Sequence, residues 1–177
     1  MNFMALVRPF LALSVLRASP KDLPHSTFLL GLTVVTYLAV NVVTSWLVRP
    51  PGEALLLTLT EIALVFVLVP VTLAAYGFAD RIAQTLTAMF GASIIIAAAS
   101  LPLALWMGAE DNASAIRPDH QLALLVLTAW VLTVQGNILR HALSTGFGIG
   151  LAFSFAFFWI TLHALQMVYA VLNPAAI

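Results

Sequence analysis

The chain has 177 residues, of which 62% are hydrophobic and only 8% charged, against roughly 25% charged in a soluble domain. Seven basic and seven acidic residues give zero formal net charge, and there is no cysteine. This leaves no basic field to hold nucleic acid and excludes disulfides, thiolate catalysis and cysteine-ligated metal clusters. Such a composition suits bilayer as solvent, where backbone polar groups must be satisfied within helices or a closed barrel. A barrel would show alternating segments of about ten residues; the long continuous apolar runs here indicate helices.

Residues 1–16 read as an amphipathic helix lying at the membrane interface. Phe3, Val7, Phe10 and Ser14 fall near one face at helical spacing, with Leu6 and Leu13 beside them. Arg8 and Arg17 are placed to snorkel to headgroups. The run is too short to span. Its basic residues stand in the middle and at the end, with no small-x-small site after them, which argues against a cleaved leader. Residues 19–26 contain two prolines and turn the chain, and Ser26 is the expected N-cap of the first span.

Five spans are expected: 27–48; 54–76, bent by Pro70; 84–107, with Pro102 near its far end; 120–143; and 147–172. Each is near the roughly 20 residues that cross a 30 Å hydrocarbon core. The links at 49–52, 77–81 and 144–146 are short, so spans 2 and 3, and spans 4 and 5, should form antiparallel hairpins. The one extended hydrophilic loop, 108–119, holds Glu110, Asp111, Arg117 and Asp119. The expected architecture is therefore an all-α, polytopic membrane helical bundle. It divides into an interfacial helix with a cytoplasmic turn (1–26) and a five-helix transmembrane domain (27–177).

Loop charge orients the bundle. Arg8, Arg17, Lys21, Arg81 and Arg140 share one side; Arg49 and Arg117 are on the other. The N-terminus is thus expected in the cytoplasm and the C-terminus outside, with a bacterial inner membrane as the expected location. Trp46, Trp106 and Tyr169 fall near the outer interface, where amphipathic rings belong, whereas Trp130 and Trp159 sit deeper as packing residues.

Ionisable groups in the apolar layer are costly and point to function or to a structural pairing. Counted along their helices, Asn41, Glu61 and His163 all lie roughly 10–14 Å below the outer surface. Gln166 follows His163 by about one turn. These four residues are expected to form an intramembrane polar cluster. Glu61 would accept and His163 would titrate, either as a knot holding spans 1, 2 and 5 or as a proton or cation site. Glu61 stands on a stripe with Leu57, Leu64 and Leu68, so the stripe is expected to face inward. A second polar layer, Asp80, Arg81, Gln135, Asn137 and Arg140 with Gln84 and His141, is expected on the cytoplasmic side, with Asp80 and Arg140 paired across the two hairpins. It suits interfacial anchoring or a lipid headgroup.

Gly146, Gly150 and Ser154 recur every fourth residue and mark a helix-packing ridge. Ala88, Ala92 and Ala99 form a looser one. The run 146–150 has neither the preceding strand nor the lysine of a phosphate loop. Residues 112–114 match a glycosylation sequon, and no histidine pairing fits a haem. No Gly-x-Ser-x-Gly or His-Glu-x-x-His sequence occurs, so neither an enzyme nor a bound cofactor or metal is expected.

The layout of a cytosolic N-terminal segment, a hairpin with a very short inner link at 77–86, Pro102 in span 3, and Trp130 followed by the stretch 141–146 resembles the Yip family of five-span membrane proteins. That resemblance covers residues 20–172. It implies a five-helix fold with a cytoplasmic N-terminus; the lack of catalytic motifs and the small-residue ridges available for contact make a non-enzymatic, Yip-like scaffold or accessory subunit of a membrane complex the expected role. The partners implied are the lipid bilayer and other membrane proteins or a second copy of the chain. The alternative reading is a small proton- or cation-coupled transporter built on Glu61 and His163.

Overall fold

The computed structural model describes residues 3–46, 49–108 and 118–174. The described residues form an all-α bundle of six helices: α1 (Phe3–Ser14), α2 (Thr27–Trp46), α3 (Pro51–Ala75), α4 (Ile82–Gly108), α5 (Pro118–Ala142) and α6 (Phe147–Leu172). The last five are each long and apolar enough to cross a bilayer, so the protein is a multi-pass membrane protein. The sequon at 112–114 and most of the hydrophilic loop lie outside the described residues.

Local chemistry explains the boundaries. Ser26 Oγ accepts from the Leu29 amide at 3.2 Å and caps α2. Pro51 opens α3, where its missing N–H costs nothing. Three helices close in the same way, with one left-handed residue past the end and a backbone bond reaching back five residues. These are Leu16 with Arg17 N to Ala12 O, Gly77 with Phe78 N to Leu73 O, and Ser144 with Thr145 N to Arg140 O. Within the spans, hydroxyls such as Thr58, Thr85 and Thr87 donate to carbonyls one turn back at 2.8 Å. These hydroxyl donors are thereby not left bare in an apolar medium.

The spans pack otherwise than the short links suggest. α5 lies along α6, as expected, but α4 packs chiefly on α2 and touches α3 only lightly. A short link fixes where two helices meet and leaves open how far they stay together. Here the Tyr37 ring stands 5.2 Å from Phe90, and Phe66 reaches the same Phe90 at 5.7 Å, so one α4 aromatic is shared by α2 and α3.

α1 turns its apolar face onto the bundle. Phe10 and Leu13 are buried, and Arg8 and Arg17 are exposed. The Phe10 ring occupies the space where a Cβ on Gly91 would lie. Trp130 Nε1 donates to the Ser14 carbonyl at 2.8 Å, across 116 residues of sequence. Gly91 and Trp130 are roughly 14 Å and 18 Å along α4 and α5 from their ends near the α4 N-terminus, by helical rise. The contacts of α1 are thus made well inside the bundle.

Candidate functional site

Three of the four residues expected to cluster do so. Asn41 of α2, Glu61 of α3 and Gln166 of α6 line one cavity of about 580 Å³, within the roughly 300–1,000 Å³ of small-molecule sites. Its hydroxyl-bearing walls are Thr44 and Ser45 on α2, Thr58 on α3 and Ser100 on α4. Apolar walls come from Leu57, Leu162 and Leu165. At the rim are Arg49 and Tyr169, both exposed, with the guanidinium carbon 5.8 Å from the phenol ring centre.

Two of the three stripe leucines of α3 face inward: Leu57 is buried in the cavity wall and Leu68 lines a second cavity, whereas Leu64 is half-buried and lines neither. That second cavity, of about 210 Å³, also includes Glu61 in its lining. Glu61, Leu162 and Leu165 belong to both. The second is otherwise apolar, with Val65, Met89, Val131 and Phe157, and its polar wall is Gln135 of α5 and Thr161 of α6. Glu61 therefore belongs to the wall where the two adjoining cavities meet.

His163 is the correction. It lines neither cavity and points out of the bundle. Nδ1 lies 2.9 Å from the Trp159 carbonyl, and the ring is 4.5 Å from the Trp159 ring. Rotational phase is the reason. Leu162, Leu165, Gln166 and Tyr169 form the inward stripe of α6, and at about 100° per residue His163 falls some 110° away from its centre. Depth matched; direction did not.

The neighbour of Glu61 is instead Tyr37 of α2, whose phenol lies beside the carboxylate. Asn41 does not bond Glu61; its Nδ2 donates to the Tyr37 carbonyl of its own helix at 3.0 Å. Tyr37 escaped the sequence reading although it stands one turn from Asn41 on the same face, a signal the same depth count would have caught.

The Thr, Ser and Asn part of the lining is biased toward acceptors, beside the donors of Arg49 and Gln166. Thr44, Thr58 and Ser100 commit their protons to carbonyls of their own helices at 2.8–2.9 Å, as Asn41 commits an amide proton. What these groups turn to the cavity is acceptor capacity, beside the Glu61 carboxylate. Such a surface suits ammonium groups, monovalent cations or protons.

The expected cytoplasmic layer disperses. Arg81 Nη1 donates to the Ala142 carbonyl at 3.0 Å and to Ser144 Oγ at 2.8 Å, closing the end of α5 while its guanidinium covers the Phe78 ring at 4.2 Å. Gln84 holds the Leu23 carbonyl at 2.8 Å. Asn137 is buried with Nδ2 unpartnered, and Gln135 belongs to the second cavity. Asp80 is exposed and does not pair with Arg140, whose guanidinium lies 5.5 Å from the Phe147 ring centre with Nε buried and unpartnered. The pairing fails because Arg81, adjacent to Asp80, already occupies the end of α5.

The packing ridge is partly confirmed in its geometry. A Cβ on Gly150 would meet the Gly136 carbonyl oxygen, and Ser154 Oγ donates across the seam to the Leu132 carbonyl at 3.0 Å. Gly146 has nothing within 4 Å and serves as the N-cap of α6 rather than as a contact. Of the looser ridge, Ala88 and Ala92 are buried and Ala99 is exposed. Among the described residues, no three His, Asp or Glu side chains converge. No family model, curated protein or solved structure matches the chain.

Proposed function

We propose that the protein is a small proton- or cation-coupled transporter in which Glu61 is the coupling carboxylate. The observation that carries this reading is the membership of Glu61 in both cavities. A binding group that lines two adjoining cavities can exchange its occupant with one and then the other. The acceptor-rich lining of the larger cavity supports a cationic occupant. An intramembrane carboxylate costs about 2.5–3.5 kcal/mol even on the lenient insertion scale, a cost that function would explain. His163, named in the sequence reading, has no part in it.

The test needs no known solute. Proteoliposomes on a solid-supported electrode receive a jump in pH or in monovalent cation concentration. Wild type is expected to give a charge displacement that Glu61→Gln abolishes and His163→Ala retains. A displacement of equal size in Glu61→Gln, or none in wild type, overturns the reading.

A second reading keeps the Yip-like scaffold or accessory subunit, non-enzymatic and bound to other membrane proteins or to itself. It draws on the outward face of α6, where Phe155, Trp159 and Met167 are each more than half exposed. The Gly150 ridge lends it no support, because α5 already occupies that ridge. Photo-crosslinkers at Phe155 and Met167 should capture a partner helix if this face is covered. In both readings the proposed site is a bacterial inner membrane with a cytoplasmic N-terminus. A cysteine in place of Asn112 should then react with an impermeant maleimide in cells whose inner membrane is intact; labelling only after permeabilisation reverses the orientation.

A further inference from the structure

Two opposite charges line the larger cavity without meeting. Glu61 has a phenol for a neighbour and Arg49 an aromatic face. Among the described residues neither is in an ion pair, and neither has a further interaction. Leu162 and Leu165 share both cavities with Glu61, so they mark its level on α6; Tyr169, beneath the Arg49 guanidinium, is further along the same helix. The offset corresponds to about 6–10 Å by helical rise.

We infer that the cavity binds a small zwitterion, its ammonium group on Glu61 and its carboxylate or phosphate on Arg49. The inference rests on the transporter reading and names its substrate class. Each charge alone would suit many ligands; together they select a molecule carrying both signs at a fixed separation. Two polar contacts of about 3 Å account for most of the offset, which leaves a short carbon skeleton between the ligand's own charges. The acceptors of Asn41, Thr58 and Ser100 surround the ammonium end. Among the described residues Arg49 is the one cationic side chain in the lining, and its planar fork matches a carboxylate or phosphate with two parallel bonds. A free amino acid and an ethanolamine phosphate headgroup share this chemistry.

The probes are radiolabelled glycine and phosphoethanolamine, with methylamine and acetate as single-charge controls, bound to the full chain in nanodiscs. A zwitterion is expected to bind, and Arg49→Gln and Glu61→Gln are each expected to weaken it at least tenfold. Neither single-charge control should compete at equal concentration. Binding of phosphoethanolamine but not glycine supports the inference and makes a lipid headgroup the source. Binding of glycine supports it with a free solute as the source. Displacement of the probe by methylamine alone, with Arg49→Gln unchanged, overturns the zwitterion and leaves the cation-coupled reading intact. Failure of both zwitterions to bind to wild type, while the charge displacement at Glu61 persists, overturns the inference alone. Loss of that displacement with zwitterion binding retained overturns transport and keeps the ligand class. Melting temperatures of both variants within a few degrees of wild type separate lost binding from lost fold.

Discussion

The two halves of α4 are equally apolar and packed in opposite ways. From Thr85 to Ala92 every residue is buried, enclosed by α1, α2 and their neighbours. From residue 97 to residue 106 none is buried, and Ser100 and Ala104 form cavity wall. Hydropathy does not separate the halves, because lipid, protein and cavity all accept alanine and leucine. What separates them is which helices approach. Without a hydrophobic force between helices in lipid, close packing supplies the stability, so the tight half holds the bundle and the loose half is left open to bind.

Substitutions at small residues break this comparison most sharply. Gly150→Leu should have the largest effect, because its Cβ meets the Gly136 carbonyl and the Arg140 backbone. A loss of about 3 kcal/mol, or no folded protein, is expected. Gly148→Leu, with nothing within 4 Å, should stay near wild type. Thermal unfolding in detergent compares the two. Next comes a matched pair on α4. Ala92→Leu, 1% exposed, should cost about 1–3 kcal/mol by overpacking. Ala104→Leu, which projects into cavity space, should cost under about 0.5 kcal/mol while shrinking the cavity and weakening any ligand. Equal losses in the pair would show that the loose half is closed in the membrane.

Smaller effects concern the attachment of α1. Trp130→Phe removes the bond to the Ser14 carbonyl, worth about 1 kcal/mol. Amide exchange in 3–14 should speed up several-fold with little change elsewhere. The smallest change expected is a gain. Leu16 is held at φ 63°, a conformation that costs a residue with a Cβ roughly 1 kcal/mol. Leu16→Gly should recover about that much, read as a small rise in melting temperature, unless the lost leucine side chain offsets it.

Span limits were legible because apolar runs, prolines and caps are local properties. The end of the last span at Leu172 and the cap at Ser26 arise from them directly. Depth was also legible, since rise per residue is constant, and it placed Asn41 and Glu61 on one cavity. Direction was not. His163 shares the depth of Glu61 yet faces outward, because rotation about a helix axis is set by all its neighbours at once. Nor could the links show that α2 would stand against both α3 and α4, or that Arg81 would close α5 and leave Asp80 alone. Those outcomes depend on contacts between residues far apart in the chain.

The tether between Ser14 and Trp130 has a consequence for biogenesis. α1 is made before α4 and α5, which build the groove that receives it. Phe10 has no Gly91 to cover until the third span is made, and the Ser14 carbonyl has no indole until the fourth. During synthesis the N-terminal helix must therefore wait, its apolar face on the membrane surface, while most of the chain is inserted. Its seating is a late step of assembly, and an element translated ahead of the spans serves as the closing piece of the bundle.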